Sequence, residues 1–364
     1  MPVNLATKYS SKIDEVLAQN SLTDVAVNKD YDFVGAQTVK VYSFGTAAMN
    51  DYQASGANRY GTPSELEDSI QELTMSKKRS FTFTIDKTNA IDSPEGVRDA
   101  AKALRRQLDL AVIPEIDTYR LVKLADNAYK KEVATISNTN AYEKFLDANA
   151  AISENEMPLD GRIAFVTPNF YKLIKQDDSF VKAADISQEM LIKGQVGMVD
   201  NVAIVMCTSK RMAAGASFVI THPIACTSPV KLADYKIHQD PPGLAGNLVE
   251  GLVYYDAFIL NNKNKAIAVH YGELGALTIS MEATSTTNKG KITVSGNLNG
   301  GTLVYKTAAN QAAPALADDL SSWTELPETG IISATATHKV VVAIRNSDKK
   351  CVATSAAIVV DVGA

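Results

Sequence analysis

Residues 95–121 read EGVRDAAKALRRQLDLAVIPEIDTYRL, and this stretch decides the fold of the chain. Its apolar residues recur at three- and four-residue steps, the pattern of one buried helix face, while its charged residues lie mostly on other faces. Ser93 can cap this helix, and Pro94 suits its first position. Pro114 lacks an N–H and is expected to kink or break the helix. The pattern continues to Asn127, which predicts a rod about 50 Å long.

Two strand patterns precede the rod. The first covers residues 38–44, and the second runs from Ile70 to Asp86, where it ends in an alternating FTFTI segment. The residues between them, 45–69, are rich in Gly, Ala, Asn and Ser. So long an irregular stretch predicts a loop that extends away from the body. A short amphipathic helix is expected at 5–19.

A mixture of helices and strands follows the rod. The patterns predict an amphipathic helix at 140–153, a strand at 163–166, a helix beginning at Pro168, and short apolar strands at 202–206 and 217–221. Residues 252–270 predict a β-hairpin whose turn is 261–265. This half of the chain is therefore expected to be α+β.

From Gly275 onward the helical periodicity disappears. Turn signals separate seven short strand patterns, at 277–281, 291–295, 302–306, 331–334, 339–345, 351–355 and 357–360. Seven short strands in about 90 residues are typical of a β-sandwich of the immunoglobulin type. Trp323 is expected in its core. The disulfide of antibody domains is absent, since Cys351 is the only cysteine in this part.

The composition is that of a globular protein without a marked affinity for nucleic acid. The chain has 364 residues with 36 basic and 41 acidic side chains, a net charge of −5. A protein that neutralises phosphates should be basic. No apolar run reaches the ~20 residues that cross a bilayer, and the N-terminus lacks a signal pattern. The protein is therefore expected to stay in the cytoplasm in which it is made.

No pattern for catalysis or for metal binding is found. The nucleophile-elbow, phosphate-loop, dinucleotide and zinc-protease signatures are all missing. The cysteines are far apart and are expected to be buried apolar residues, and the histidines are scattered without metal-ligand spacing. These residues are Cys207, Cys226, Cys351, His222, His238, His270 and His338. We expect no enzyme activity, no cofactor and no metal.

Two charged groups allow more than one interpretation. The carboxylate pairs, Glu65 with Glu67 and Asp318 with Asp319, lie in polar surroundings and are expected to be solvated. The cluster Lys77-Lys78-Arg79 is either a solvated strand edge or a set of salt-bridge partners for a neighbouring subunit.

In this order, the elements resemble the major capsid proteins of tailed bacteriophages (Caudoviricetes), which have the Hong Kong 97-type fold. QELTMSKKRSFTFTIDKTN (71–89) resembles the descending strand of that family's extended loop, and 95–121 resembles its spine helix, including Asp117. GRIAFVTPNFYKLIKQ (161–176) and GQVGMVDNVAIVMCTSKRM (194–212) resemble axial-domain segments. LVEGLVYYDAFILNNKNKAIAVH (248–270) resembles the closing strands of the peripheral domain. The resemblance covers residues 1–272.

This resemblance implies five parts of the chain. They are an N-terminal arm at 1–30, an extended loop at 31–92, a peripheral domain with the spine helix at 93–138 and 241–275, an axial domain at 139–240, and the appended immunoglobulin-like sandwich at 276–364.

The resemblance also implies a function. Such a protein assembles with itself into pentamers and hexamers of an icosahedral head that encloses double-stranded DNA without sequence-specific binding. It belongs to the virion, assembles in the host bacterial cytoplasm beside a scaffolding protein and a portal, and contacts no membrane. The candidate inter-subunit contacts are Arg59, Glu65, Glu67, Lys77, Lys78 and Arg79.

Two departures from the family bear on assembly. Some members begin with a long cleavable scaffolding segment, whereas only about 30 residues precede the first loop strand here, so a separate scaffolding protein without N-terminal cleavage is expected. Some members join the loop to a neighbour by a lysine–asparagine bond. The loop tip between Ala47 and Glu65 contains no lysine, which predicts non-covalent assembly.

Three other interpretations stay open on the sequence. An encapsulin-like compartment of the same fold would have a cargo pocket and no appended sandwich. A tail-tube protein with an immunoglobulin-like domain would have a shorter, mostly β core. A hydrolase or adhesin would use the sandwich to bind sugar, although an adhesin would be expected to carry a signal peptide.

Overall fold

The computed structural model describes residues 21–31, 38–56, 58–62, 65–66, 68–87, 100–177, 195–243 and 245–363. The helix predicted at 5–19 and the predicted helix start at Ser93 and Pro94 lie outside these residues. The strands of the described part, numbered in chain order, are β1 Thr38–Phe44, β2 Asp68–Thr74, β3 Lys77–Asp86, β4 Lys130–Val133, β5 Ile163–Val166, β6 Gln195–Val199, β7 Val202–Met206, β8 Ala216–Thr221, β9 Cys226–Thr227, β10 Val230–Gln239, β11 Gly246–Tyr255, β12 Phe258–Ile259, β13 Ala268–Tyr271, β14 Gly275–Ala283, β15 Lys289–Gly296, β16 Thr302–Ala308, β17 Thr324–Glu325, β18 Ile331–Ser333, β19 Lys339–Arg345, β20 Cys351–Ser355 and β21 Ile358–Val359.

Residues 100–126 form one uninterrupted helical rod, here called the central helix. It consists of an α segment Ala100–Gln107, a π turn Leu108–Val112 and an α segment Ile113–Asp126. The expected break at Pro114 does not occur. A π turn is wider than an α turn and lies where the carbonyls behind a proline ring would otherwise crowd it. The rod predicted from the sequence is thus confirmed over its described length.

Shorter helices accompany the central helix. The α-helices are Ala141–Glu154 and Pro168–Gln176, and the 3-10 helices are Asp24–Ala26, Pro223–Ala225 and Asn261–Ala266. Thr167 caps the second α-helix, because its side-chain oxygen accepts a hydrogen bond from the N–H of Phe170 at 3.3 Å.

The first half of the central helix packs on a three-stranded sheet of order β10-β11-β3. Leu104, Leu108 and Val112 of the helix share one buried cluster with Val249 and Val253 of β11. One position in this sheet requires glycine, because a Cβ on Gly251 would lie 2.4 Å from the ring of Phe81.

The strand predicted from Ile70 to Asp86 is two strands. β2 pairs with β1 in a separate two-stranded hairpin, whereas β3, expected within the extended loop, pairs with β11. Met75 is buried at the corner between them. The carboxylate of Asp256 accepts hydrogen bonds from both the N–H and the hydroxyl of Ser76, which holds the chain in this turn.

The second half of the central helix packs on a six-stranded mixed sheet of order β4-β13-β8-β5-β7-β6. Leu121 and Leu124 of the helix contribute to the cluster on one face of the sheet. The two shorter α-helices cover the other face through Phe145 and Phe170, which contact Phe218 of β8. The short apolar strands predicted at 163–166, 202–206 and 217–221 are confirmed as β5, β7 and β8.

The prediction of a β-hairpin at 252–270 is wrong. Both edges of β11 are already occupied, by β10 and by β3. β13 pairs instead with β8 and β4 in the six-stranded sheet, and the predicted turn is the 3-10 helix Asn261–Ala266. Strands β4 and β13, which the resemblance places in the peripheral domain, therefore pair with each other within the six-stranded sheet.

Residues 275–363 form a C-terminal all-β unit. Its eight strands share one sheet of order β17-β16-β19-β20-β14-β15-β18, in which β21 also pairs with β19. All seven strands predicted here are present. Trp323 is buried beside Val304, Leu320 and Cys351, as expected of a core residue. Alternate residues of β19 enter two different clusters, so this strand is buried on both faces.

The C-terminal unit shares a core with the six-stranded sheet. Leu277, Ile344 and Val352 of the unit lie in the same buried cluster as Met212 and Tyr271 of the sheet region. Backbone hydrogen bonds reinforce this contact, including one from the N–H of Ala214 to the carbonyl of Asn299 at 2.7 Å. The unit is thus packed on the body as part of its core.

Gly215 lies at this junction and provides a test of it. Its φ is +73°, and an added Cβ would lie 2.4 Å from the carbonyl oxygen of Val352. We expect Gly215→Ala to lower the free energy of unfolding by more than about 2 kcal/mol, since strain and a backbone clash add. Gly56→Ala is the control, because Gly56 has a φ of +99° but nothing within 4 Å. Equal unfolding midpoints in urea for the two variants would contradict a tight junction.

The burial of His270 leads us to expect that the protein loses stability in acid. His270 is 1% exposed, and neither ring nitrogen has a hydrogen-bond partner among the residues that the structure describes. Burial lowers its pKa from 6.5 to about 4, although Glu132 opposes this shift. Between these two values the unfolded chain binds a proton that the folded chain does not, so stability present above pH 6.5 is lost progressively as the pH falls towards 4.

The replacement His270→Phe should flatten this pH dependence, because phenylalanine cannot be protonated. The measurement is the free energy of unfolding at several values between pH 7 and pH 4, with His338→Phe, at a partly exposed position, as the control. The wild-type loss should be roughly 3 kcal/mol at most. An unchanged slope in the His270→Phe variant would show that other groups cause the acid sensitivity.

Candidate inter-subunit contact surfaces

The described residues show no clustering of metal-ligating side chains and no exposed thiol. They contain no group of three or more His, Cys, Asp or Glu side chains placed to hold a metal ion. No helix among them is long and apolar enough to span a membrane. The three cysteines are buried, as predicted, and burial raises the pKa of each thiol to about 12, which leaves the reactive thiolate scarce at neutral pH.

The β1–β2 hairpin is attached to the body by one face. Val39, Val41 and Leu73 on this face pack with Leu260. The side chain of Gln71 donates to the carbonyl of Ile259 at 2.9 Å and accepts from the N–H of Asn261 at 3.0 Å. The 3-10 helix Asn261–Ala266 and β12 therefore fix the base of the hairpin.

The opposite face of the hairpin carries an apolar patch open to solvent at its far end, beyond an ion pair between Lys40 and Glu72. Tyr42 lies directly across from Ile70 in the antiparallel register, and their exposed fractions are 61% and 53%. Phe44 is 71% exposed, and Met49 and Tyr60 beyond the paired strands are 97% and 86% exposed. Contiguous exposed apolar side chains on a protruding element are typical of a protein contact surface.

The structure divides the sequence-predicted contact residues into two groups. Arg59 and Glu65 are exposed in the tip beyond β1 and β2, and Glu67 lies outside the described residues. Lys77, Lys78 and Arg79 begin β3 and make contacts within the chain. Among the described residues, no hydrogen bond or ion pair joins the tip residues to this basic cluster.

Each residue of the basic cluster has a neighbour in the same chain. Lys77 lies 5.5 Å above the ring of Tyr119, and Lys78 lies 5.2 Å above the ring of Tyr254. The Nε atom of Arg79 is 2.7 Å from a carboxylate oxygen of Glu115, but the pair is largely solvated. An exposed pair of this kind contributes little to folding, so its charges stay available for a partner.

A groove of about 670 Å³ adjoins this cluster. The central helix, the start of β3, the loop before β8 and a loop of the C-terminal unit form its walls. Its hydroxyl groups are engaged: Tyr119 donates to Asp256 at 2.8 Å and Tyr255 donates to Glu115 at 3.0 Å. Side chains that line it include Lys77, Arg79, Tyr119, Lys210, Tyr255 and Leu298.

A buried ionic network fixes the N-terminal segment to the central helix. Asp117 has no exposed surface and lies 3.2 Å from Nη1 of Arg211. Arg120, 4% exposed, pairs with Asp24 at 2.5 Å. The hydroxyl of Thr23 lies between the two, since it donates to Asp117 at 2.6 Å and accepts from Arg120 at 3.0 Å.

Sequence reasoning identified only part of this network. It singled out Asp117 through the family resemblance, but not Arg120 or Arg211. The sequence did contain a signal for this network: Asp117 and Arg120 lie among the apolar positions of the helix. Charged side chains at such positions are buried only where other groups pair with them. The partners come from residues 21–24 and 211, which are distant in sequence.

Removing one charge from the network should be far more costly than removing an exposed one. Arg120→Met would leave the carboxylate of Asp24 without its ion-pair partner and remove a hydrogen bond to Thr23, and we expect it to lower the free energy of unfolding by about 3–5 kcal/mol. Arg79→Met, which breaks an exposed pair, is the control and should cost under about 1 kcal/mol. Urea unfolding measures both, and similar costs would contradict the structural importance of the network.

Comparison with known proteins gives a consistent answer about the fold. No family model and no curated protein matches the chain. A solved structure from Mycobacterium phage Che8 is similar at 19% identity and a TM-score of 0.56, covering 69% of this chain and 91% of that one. The mature capsid of bacteriophage PhiM1 (13% identity; 65% and 82% covered) and the capsid of cyanophage P-SCSP1u (12%; 65% and 84%) both give TM-scores of 0.52. The chain has the Hong Kong 97-type capsid fold.

Proposed function

We propose that this protein is the major capsid protein of a tailed bacteriophage, which assembles into the pentamers and hexamers of an icosahedral head. The observation that carries this proposal is the likeness of its fold, over about two thirds of the chain, to solved structures of phage capsids. The net charge of −5 is compatible with a capsid role, because a shell that encloses DNA does not need an excess of basic residues to bind the phosphates.

The hairpin is the element best suited to join subunits. Its attached face gives it a defined direction, and its open face carries Tyr42, Phe44 and Ile70. A two-stranded ribbon with an exposed apolar face is marginal by itself and gains stability when a neighbour covers that face. Because each subunit of a closed shell gives and receives such contacts, many weak contacts add to a stable particle.

The five-part division also belongs to this proposal. Its parts are the N-terminal arm at 1–30, the extended loop at 31–92, the peripheral domain at 93–138 and 241–275, the axial domain at 139–240 and the appended unit at 276–364. A separate scaffolding protein and a portal complete the assembly, and the contacts between subunits are non-covalent. The head forms in the cytoplasm of the bacterial host and does not act as an enzyme.

Electron microscopy of the purified protein, expressed with a scaffolding protein from the same phage, tests the function. We expect closed icosahedral shells. Tubes or stacked rings would indicate a tail protein instead, and a small oligomer under all conditions would refute the capsid proposal.

The double variant Tyr42→Ser, Phe44→Ser tests the role of the hairpin face. Burial of each aromatic side chain stabilises a contact by roughly 1.5–3 kcal/mol, so the protein concentration needed for assembly should rise at least tenfold. Val359→Ser is the control, since Val359 is 64% exposed on the C-terminal unit. Light scattering against concentration measures the threshold. Equal thresholds for the wild type and the double variant would exclude this face from the subunit contact.

A further inference from the structure

The C-terminal unit contributes one wall of the groove described above, a turn with two consecutive left-handed glycines, Gly300 and Gly301. Their φ angles are +74° and +68°, a conformation that residues with a Cβ rarely adopt. The turn lies against the central helix, because the N–H of Gly301 donates to Asp126 at 3.4 Å and a Cβ on Gly300 would lie 3.5 Å from a methyl carbon of Val122. The groove therefore lies across the junction between the unit and the body.

The groove carries an excess of positive charge on a chain whose net charge is −5. Among the residues that the structure describes, its lining includes four cations and one carboxylate, that of Glu115. Two of the cations, Arg79 and Arg211, already pair with carboxylates of the same chain. Lys77 and Lys210 are exposed, and neither has an ion pair within the described ranges. These two ammonium groups can therefore bind the carboxylates of an occupant.

A free backbone donor and apolar surface line the same groove. The N–H of Gly300 makes no hydrogen bond to any residue in the described part of the chain, and a backbone N–H is a good partner for a carboxylate oxygen. Pro114, Val122 and Leu298 supply apolar surface, and Leu298 is 41% exposed. The groove thus suits a segment that carries carboxylates next to an apolar side chain.

We propose that the groove binds an acidic polypeptide segment of a different protein, with carboxylates at Lys77 and Lys210 and an apolar side chain against Leu298. A nucleic acid suits the groove less well. Bases bind by stacking on aromatic rings, whereas the ring of Tyr119 already has the ammonium groups of Lys77 and Lys123 at 5.5 Å each. The volume of about 670 Å³ is that of a site for a short segment, so a few residues of the partner would enter it.

Such a partner would also hold the C-terminal unit on the body. Its segment would contact Lys77 of β3 and Leu298 of the unit at the same time. A ligand that binds only the folded junction raises the stability of the protein by mass action. The inference concerns the single folded chain and does not depend on the proposed capsid function.

Binding of a synthetic peptide to the purified chain, kept too dilute to assemble, tests the proposal. The probe is the fluorescein-labelled peptide EDELFDE, and the peptide KKKLFKK is its control of opposite charge. We expect saturable binding of EDELFDE in fluorescence anisotropy, a higher urea unfolding midpoint in its presence, and no binding of KKKLFKK. Added salt should weaken the binding, because exposed charges are screened.

Charge reversal in the groove connects the binding to its residues. The double variant Lys77→Glu, Lys210→Glu should weaken the binding of EDELFDE by about tenfold or more, and Leu298→Ala should weaken it to a smaller extent. Lys291→Glu is the control and should leave binding unchanged, since Lys291 is exposed on β15 and does not line the groove. Urea unfolding of each variant without peptide checks that it is folded.

The other outcomes would each overturn the proposal. Absent binding, or equal affinity of the wild type and the charge-reversed variant for EDELFDE, would exclude an acidic-peptide site in the groove. Tighter binding of a single-stranded oligothymidylate, lost in the same variant, would identify a nucleic-acid site instead. Loss of self-association in that variant, without an effect on the peptide, would make a second copy of the chain the occupant. The capsid function is refuted only by a wild-type chain that forms no shells, so the two proposals can fail separately.

Discussion

The structure depends on the burial of one helix against two different sheets. Leu104 and Leu108 of the central helix enter the core of the three-stranded sheet, while Leu121 and Leu124 enter the core of the six-stranded sheet. A single rigid rod thereby sets the positions of both layers. The π turn Leu108–Val112 keeps the rod continuous up to Pro114.

The buried charges on this helix have a specific role in that arrangement. Taking Asp117 and Arg120 out of water costs several kcal/mol per ion, and apolar residues of the same size would avoid the cost. Their partners, however, are Asp24, Thr23 and Arg211, which come from separate parts of the chain. An apolar substitute would pack without selecting these partners. The network therefore favours one position of the N-terminal segment on the helix.

The C-terminal unit, expected from the sequence as an appended sandwich, shares the core of the body. Residues such as Ile344 and Val352 are buried in a cluster that also contains Leu121 of the central helix. A chain cut after Gly275 would expose this part of the cluster to water. The unit is thus a structural component of the folded chain, whereas the hairpin leaves the aromatic side chains of Tyr42 and Phe44 exposed to solvent.

The amino-acid sequence by itself determined the local elements and their order. The apolar periodicity of 95–121, the alternation in 81–85 and the seven strands after Gly275 follow from rules that act over a few residues. The candidate contacts Arg59 and Glu65 could be found in the same way, because their exposure follows from a polar loop. The tertiary structure alone decided which strands pair: β13 joins β8 rather than β11, whose edges are already occupied. It also decided that Lys210, Leu298 and Tyr119 share one groove, since contacts between residues so distant in sequence depend on how the sheets pack.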